Sequence, residues 1–161
     1  MSDQLPAAVV VASNRAASGV YDDATGPVIV DWLREQGFTC GPPAVVRDGE
    51  PVGEAIGVAV QAGARVVLTT GGTGLTPTDR TPEVTRVLLD REVPGIAEAI
   101  RAHGLRTGVP TAMLSRGLAG VAGRCLIVNL PGSRGGVRDA LAVLEPVLRH
   151  AVEQVVGSDH S

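Results

Sequence analysis

The stretch RVVLTTGGTGLTPTDRTPE, residues 65–83, contains the pattern that decides the fold. Its first part, residues 65–70, is an apolar run of the length of a buried strand. A glycine-rich loop with one acid, Asp79, follows it, and Pro82 then begins a helical segment for which Thr81 is the expected N-cap. A buried strand followed by a glycine loop and a helix is typical of α/β proteins with a parallel sheet.

Similar units recur along the rest of the chain. Prolines in residues 38–46 favour a strand at the edge of the sheet, and Gly104 is the expected end of a helix. We predict a three-layer α/β fold with helices on both faces of a central, mostly parallel sheet, in which a glycine-rich loop between the last two strands allows a mixed sheet. The expected strands are residues 7–12, 38–46, 65–70, 111–115 and 124–130, and the expected helices are residues 27–36, 51–62, 82–90, 94–103 and 137–156.

Length and composition indicate one domain and exclude several classes of function. The chain has 161 residues, 44% of them hydrophobic, and we expect a single domain over residues 1–161 with its core in residues 7–156. A net charge of −3 offers no basic surface for nucleic acid, and no apolar stretch is long enough for a membrane span. All fourteen basic residues are arginine, which excludes a Walker phosphate loop because that loop ends in Gly-Lys. Cys40 and Cys125 lack metal-ligand spacing and are expected to be buried free thiols of a cytoplasmic protein.

Ligands of open α/β sheets bind beyond the carboxyl ends of the strands, so the segments that follow the strands are the candidate sites. Two of them, TGGTG at residues 70–74 and PGS at residues 131–133, are glycine loops. Glycines let the backbone approach a ligand, and N–H groups ahead of a helix attract anions. Either loop alone is explained by a turn of the chain, but two at one sheet edge favour phosphate binding. Pro77 stands where a dinucleotide fingerprint needs its third glycine, which disfavours a dinucleotide-dependent oxidoreductase.

Asp48 and Asp79 are the candidate catalytic acids. Each has an ordinary structural explanation, because Asp-Gly is a turn signal and an aspartate before Thr81 and Pro82 commonly builds a turn or caps a helix. Together they follow neighbouring strands beside two candidate phosphate loops. Two carboxylates in such a place suit Mg²⁺, which takes oxygen ligands and bridges phosphates. The pattern therefore predicts phosphoryl or nucleotidyl transfer.

The sequence alone assigns neither a cation nor a nucleophile. Arg116 and Arg134 are candidate cations for a phosphate, or surface arginines exposed to solvent. Ser13 and Ser133 have no histidine nearby in the sequence that could serve as a base, so no nucleophilic triad is expected. Ser133 is interpreted as a hydrogen-bond donor.

Four segments, in this order, resemble the Mog/MoaB family of molybdenum-cofactor biosynthesis. They are SNRAASGVYDDATGP at residues 13–27, TTGGTGLTPTDRTPE at 69–83, SRGLAGVAG at 115–123 and NLPGS at 129–133. The resemblance extends over residues 7–156 and is strongest to stand-alone molybdopterin adenylyltransferases of the Mog type. It implies an α/β fold, commonly a homotrimer, that converts molybdopterin and ATP into adenylyl-molybdopterin and diphosphate with Mg²⁺. A molybdenum-insertion protein is the implied partner.

The resemblance also implies roles for individual residues. Asp48 and Asp79 correspond to the family's catalytic acids and are the expected Mg²⁺ ligands. The implied substrate-binding residues are Ser13 in the first loop, Gly71, Gly72, Thr73 and Gly74 in the second, and Pro131, Gly132 and Ser133 in the last.

The chain departs from the family pattern at two places. Asn14 stands where the first loop often has an aspartate, and Arg134 and Gly135 stand where proline and lysine are frequent. An alternative is therefore a MoaB-like protein that binds molybdopterin, or a partner, without turnover. Asp48 and Asp79 favour the enzyme.

Overall fold

The computed structural model describes residues 4–17, 19 and 23–157, and the strands within these ranges form one seven-stranded sheet. The strands are β1 (Leu5–Ala12), β2 (Phe38–Cys40), β3 (Ala44–Val46), β4 (Val66–Thr70), β5 (Arg91–Glu92), β6 (Ala119–Ala122) and β7 (Cys125–Leu130). Their order in the sheet is β2-β1-β4-β7-β6-β5, and β3 pairs directly with β1. β1 to β4 and β7 are parallel, whereas β6 is antiparallel to both β5 and β7, so the sheet is mostly parallel but mixed.

Helices cover both faces of the sheet, which confirms the predicted three layers. The helices are α1 (Asn14–Ala17), α2 (Gly26–Glu35), α3 (Glu50–Gln61), α4 (Thr81–Arg86), α5 (Pro94–Arg106), α6 (Arg134–Leu144) and α7 (Leu148–Val155), with a 3₁₀ helix at Pro110–Leu114. One face of the sheet packs against α2, α5, α6 and α7 around a core that includes Leu33 and Leu144, and the other packs against α3 and α4 around Val52 and Ile56. No helix in the described part of the chain combines the length and apolarity that crossing a bilayer requires.

The predictions from the sequence agree best with the structure in the central strands. Every residue of β4 and β7 is buried, because helices lie on both faces there, and this explains their continuous rather than alternating apolar runs. The proline-broken segment 38–46 forms two short strands, β2 and β3, which pair with the first and second halves of β1 at the sheet edge. Cys40 and Cys125 are buried free thiols, as expected.

The expected strand at residues 111–115 is wrong. Residues 111–114 belong to the 3₁₀ helix Pro110–Leu114 and Ser115 follows it. Met113 and Leu114 in this helix are 61% and 47% exposed, unlike the side chains of a buried strand. The strand beside β7 is β6, whose small residues Ala119–Ala122 resemble a loop in the sequence. Gly120 is needed there, because a Cβ at this position would lie 2.5 Å from the carbonyl oxygen of Arg91.

Three expected helices also differ from the structure. Thr81 is the first residue of α4 rather than its N-cap, which is Arg80, and α4 already ends at Arg86. The helix predicted over residues 94–103 continues past Gly104 to Arg106, with Gly104 packed so closely on Ala112 that a Cβ would lie 2.6 Å away. The long final helix is two helices, α6 and α7, because Pro146 lies between them and cannot donate a helical hydrogen bond.

Candidate active site

The carboxyl ends of the four strands β1, β3, β4 and β7 lie at one edge of the sheet. The register pairs Thr70 with both Val11 and Leu130, and Ala12 with Val46, so the four following loops begin side by side. The two glycine loops touch at this edge. The amide of Gly71 donates to the carbonyl oxygen of Leu130 at 3.2 Å, and the Thr70 hydroxyl donates to the carbonyl oxygen of Pro131 at 2.7 Å. The predicted convergence of the two loops is therefore observed.

A cavity of about 970 Å³ opens between these loops, α5 and the 3₁₀ helix. One wall consists of the loops themselves, and the opposite wall is largely apolar, with Ile100, Ala112 and Leu114. The glycine-loop residues that line it are Gly71, Gly72, Thr73 and Gly74 on one side and Pro131, Gly132 and Ser133 on the other, so all seven predicted loop residues lie at one cavity.

Helix α6 begins at this cavity. The Ser133 Oγ atom accepts a hydrogen bond from the Gly136 amide at 3.0 Å and caps the helix, and Gly135 and Gly136 line the cavity beside it. The first-turn N–H groups of a helix carry partial positive charge and favour a bound anion. Ser133 was expected only as a donor, and the structure adds the role of acceptor in the cap.

Asp79 lines the cavity and also builds the loop that contains it. Its Oδ2 atom accepts a hydrogen bond from the amide of Thr76 at 3.1 Å, and its own amide donates to the Thr76 carbonyl oxygen at 2.9 Å. A Cβ on Gly74 would lie 2.8 Å from Asp79 Oδ2, so the carboxylate rests directly on the glycine loop. In this position Asp79 can both build the turn and take part in chemistry at the cavity, so the two interpretations do not exclude each other.

Asp48 contacts the same loop but is not among the residues that line the cavity. Its Oδ1 atom accepts hydrogen bonds from the amide of Gly49 at 2.7 Å and from the hydroxyl of Thr81 at 3.1 Å, and its Oδ2 atom accepts one from the Arg80 amide at 3.2 Å. A Cβ on Gly72 would collide with this carboxylate. Asp48 therefore lies against the glycine loop at Gly72, and Asp79 rests on it at Gly74.

Ser13 is connected to the segment that leads to Asp48 and does not line the cavity. Its Oγ atom accepts a hydrogen bond from the amide of Ala16 at 3.1 Å, and its amide donates to the carbonyl oxygen of Val46 at 2.9 Å. The neighbouring Asn14 accepts a hydrogen bond from the Asp48 amide through Oδ1 at 3.1 Å. Residues 18 and 20–22 of the predicted first loop lie outside the described residues.

Comparison with known proteins decides the family. The family model described as "Probable molybdopterin binding domain" matches residues 8–150, which is most of the chain. This chain belongs to the molybdopterin-binding domain family. The structure of the molybdopterin biosynthesis Mog protein from Mycobacterium ulcerans superimposes with a TM-score of 0.90 at 55% identity, covering 94% of this chain and 99% of that one.

Two curated relatives extend the comparison of this molybdopterin-binding domain. A molybdenum cofactor biosynthesis bifunctional protein of Synechococcus elongatus is 40% identical over 156 residues, which cover 96% of this chain but only 48% of the relative. The chain thus spans about half the length of that bifunctional protein. A molybdopterin adenylyltransferase of Helicobacter pylori is 35% identical over 156 residues, covering 93% of this chain and 87% of the relative.

The acids of this molybdopterin-binding domain fit one kind of metal site. Within the described ranges, no three histidine, cysteine, aspartate or glutamate side chains converge into a group that could hold a metal ion by themselves. Mg²⁺ is commonly held by one or two carboxylates together with substrate phosphates. Asp48 and Asp79, which rest on the same glycine loop beside a candidate phosphate cradle, match that donor set.

Arg116 has a role that the sequence did not reveal. Its guanidinium donates to the carbonyl oxygens of Gly74 and Asp79 and to the carboxylate of Glu83, so it is not a solvated surface arginine. The hydrogen bond from Arg116 lowers the pKa of Glu83 below its usual value, and the same bond raises the pKa of Arg116. The sequence identified Arg116 only as a candidate cation, and its position gave no valid signal for these contacts because the segment before it is a 3₁₀ helix and not the expected strand.

Four further polar residues of the cavity wall also escaped the sequence analysis. Arg101 on α5, Thr107 directly after α5, and Arg138 and Asp139 on α6 line the cavity. The Thr107 hydroxyl donates to Asp139 Oδ2 at 3.2 Å, which ties the two helices together at the cavity wall. Arg134 lies on α6 outside this cavity, in a second groove between α2 and α6. No pattern in the sequence distinguishes these residues from ordinary positions on an amphipathic helix.

Proposed function

We propose that the protein adenylylates molybdopterin, consuming ATP and releasing diphosphate. The observation that carries this proposal is the position of Asp79 at a cavity where two glycine loops and the N-terminus of α6 converge. The curated relative from Helicobacter pylori is named molybdopterin adenylyltransferase and matches over most of both chains, which supports the same reaction.

The proposed cavity ligand is molybdopterin. Its terminal phosphate would accept hydrogen bonds from the amides of the glycine loops and of the first turn of α6, including Gly72 and Gly135. The ring system would pack on the apolar wall that contains Ile100 and Leu114. A cavity of about 970 Å³, largely apolar with a few polar groups, has the size of pockets that enclose cofactor-like molecules.

The proposed place for ATP is beside Asp48, Ser13 and Asn14, which cluster at the end of β1 and β3. Asp48 and Asp79 would hold Mg²⁺ together with the substrate phosphates. When bound, this ion neutralises phosphate charge and stabilises the charge that develops on the leaving diphosphate.

The reaction needs no base and no covalent enzyme intermediate. A terminal phosphate oxygen of molybdopterin, already ionised near neutral pH, forms the new bond to the α-phosphorus of ATP while the bond to the diphosphate breaks. The chain contributes alignment of the two phosphates and hydrogen bonds to their oxygens. No histidine is near Ser13 or Ser133 in the sequence, and this proposed reaction does not require one.

The test is diphosphate release that depends on the pterin. The purified protein is incubated with molybdopterin and Mg-ATP, and diphosphate is measured by a coupled assay while the nucleotide product is identified by mass spectrometry. Repeated turnover yielding adenylyl-molybdopterin supports the enzyme. Stoichiometric binding of molybdopterin without diphosphate release supports the alternative, a binding protein without turnover.

We also propose that the chain is one domain that assembles into a homotrimer, acts in the cytoplasm and passes its product to a molybdenum-insertion protein. Exposed apolar side chains support assembly: Val87 is 82% exposed and Val58 is 69% exposed. Sedimentation equilibrium at micromolar concentration tests the assembly, and a stable monomer would contradict it.

The two cysteines support the proposed compartment. Cys40 and Cys125 as buried free thiols fit a reducing compartment, and burial raises the pKa of the Cys125 thiol to about 12.

A further inference from the structure

Arg116 joins the cavity wall to the loop that contains Asp79. Its Nε atom donates to the carbonyl oxygen of Gly74 at 2.9 Å, its Nη2 to the carbonyl oxygen of Asp79 at 2.8 Å, and its Nη1 to Glu83 Oε2 at 2.6 Å. Its own amide donates to the carbonyl oxygen of Thr73 at 2.8 Å. Arg116 therefore contacts the beginning of the loop, the backbone of the acidic residue in it and the side chain of a glutamate in α4.

The segment around Arg116 is itself held in place. Arg101 on α5 donates through Nη1 to the carbonyl oxygens of Ser115 and Gly117, both at 3.1 Å, and these residues flank Arg116 on either side. Ser115 and Arg101 also line the cavity. The connection thus runs from α5, through the short segment after the 3₁₀ helix, to the glycine loop and α4.

We propose that Arg116 is a positioning residue of the transfer reaction, which fixes the Asp79 carboxylate relative to the glycine loop through its forked contacts with Gly74 and Asp79. The inference rests on the proposed adenylyltransferase function. The guanidinium of Arg116 is engaged with Gly74, Asp79 and Glu83, and Arg116 does not line the cavity, so we assign its effect to the loop.

The geometry requires arginine rather than any positive charge. A guanidinium presents several N–H donors in a rigid plane, so it can reach two carbonyl oxygens and one carboxylate at once. A lysine ammonium is a point charge on a flexible stem and could keep only part of this set. Glu83 holds the third edge of the guanidinium and so orients the fork toward the loop.

The primary test compares the variants Arg116→Lys and Arg116→Gln. Because phosphoryl groups must be aligned closely, misplacement of the loop should lower kcat on the order of a hundred-fold in both variants, with KM values for molybdopterin and ATP changed by less than about three-fold. Retention of wild-type kcat by Arg116→Lys would show that only the charge matters and would overturn the proposal.

Arg34 provides a matched control for a purely structural arginine. It donates through Nε and Nη2 to the carbonyl oxygen of Cys40 at 2.9 and 2.6 Å, at the edge of the sheet away from the cavity. Arg34→Gln should lower the melting temperature without changing kcat per folded molecule. If Arg116→Gln behaves in the same way as Arg34→Gln, Arg116 is structural only and the proposal is wrong.

A double-mutant cycle identifies the group through which Arg116 acts. In the Asp79→Asn background, Arg116→Gln should lower kcat by less than about three-fold, because the carboxylate that it positions is already absent. Fully independent, multiplicative losses would contradict action through Asp79.

Hydrogen exchange gives a readout that does not depend on turnover. In Arg116→Gln, amides of the loop over residues 73–80 should exchange at least about ten-fold faster, while those of α3 should not change. If the wild-type protein releases no diphosphate, the proposed function fails and the catalytic part of the inference fails with it, and exchange then tests only whether Arg116 orders the loop. Unchanged loop exchange would overturn it in either case.

Discussion

The carboxylate of Asp48 lies against the Cα atom of Gly72, in the space that a side chain on residue 72 would occupy. Gly72 has a φ of 69°, so both its conformation and its surroundings require glycine. This contact places Asp48 at one part of the glycine loop, while Asp79 rests on the same loop at Gly74 and reaches the cavity. One short backbone segment therefore sets the positions of both acids.

The contact predicts that Gly72→Ala destabilises the protein. The added methyl group would collide with Asp48 and Thr81 and would occupy a left-handed conformation, so we expect a loss of about 1–3 kcal/mol in the free energy of unfolding. Urea denaturation measures this loss. The control is Gly57→Ala in α3, where the added Cβ would meet no other part of the chain within 4 Å beyond its own helix backbone, and a gain of up to about 1 kcal/mol is expected. Equal stability of Gly72→Ala and wild type would contradict the described packing.

Ser133 allows the cap and the ligand contact to be separated. Ser133→Ala removes the acceptor for the Gly136 amide and should cost about 0.5–2 kcal/mol of stability. Ser133→Asn keeps a capping oxygen but lacks the hydroxyl, so its stability should stay near that of wild type. If the hydroxyl also binds phosphate, both variants should bind molybdopterin more weakly in a fluorescence titration. Wild-type affinity in Ser133→Asn would leave Ser133 with the capping role alone.

The pair formed by Glu83 and Arg116 predicts a pH dependence. The hydrogen bond from Arg116 holds the pKa of Glu83 below its usual value in the folded protein. The pair therefore stabilises the fold at pH values above the unfolded glutamate pKa of about 4.3, and this contribution disappears as the pH falls through the lower folded pKa. Both side chains are partly exposed, so the contribution should be less than about 1 kcal/mol.

The variant Glu83→Gln tests this dependence. Between pH 7 and pH 3, wild type should lose more free energy of unfolding than Glu83→Gln, and the two stability curves should converge at the acidic end. Arg86 and Glu92, whose charged atoms lie 3.9 Å apart on the surface, form a second ion pair, and Glu92→Gln controls for the loss of one surface carboxylate at neutral pH. Parallel curves for wild type and Glu83→Gln would contradict the assigned pKa shift.

The central sheet and the position of the candidate site could be predicted from the sequence because both depend on local patterns. β4 and β7 are buried on both faces, so their apolar runs are unbroken, and the glycine loops that follow them are adjacent in a parallel sheet. β6 could not be predicted in this way. Its one glycine, Gly120, packs closely on Arg91 and Leu89, and only the folded chain brings those residues together.

The roles of individual site residues depend on contacts between distant parts of the chain. Asp48 and Thr81 are 33 residues apart, and Arg116 and Gly74 are 42 residues apart, so no local pattern reveals that they are bonded. Asn129 is a further example, since its buried Nδ2 group donates to Thr69 and Thr85 beneath the loop. The sequence predicted which loops lie together at the edge of the sheet but not the hydrogen bonds that shape them.

Substitution of Asp79 by asparagine is the variant that separates catalysis from binding most cleanly. Asparagine retains an oxygen that can accept the Thr76 amide, so the turn should persist and the melting temperature should change little. Asp48→Asn is less clean, because Asp48 accepts three hydrogen bonds through two oxygens and asparagine offers only one acceptor oxygen. We expect Asp48→Asn to lose stability as well as turnover.

The most direct measurement is therefore the rate of pterin-dependent diphosphate release by wild type and Asp79→Asn, together with their affinities for molybdopterin. If Asp79 acts in the transition state, kcat should fall by about a hundred-fold or more in Asp79→Asn, while the Kd for molybdopterin should change by less than about three-fold. Near-normal diphosphate release by Asp79→Asn would contradict this account and leave Asp79 only as the residue that builds the turn with Thr76.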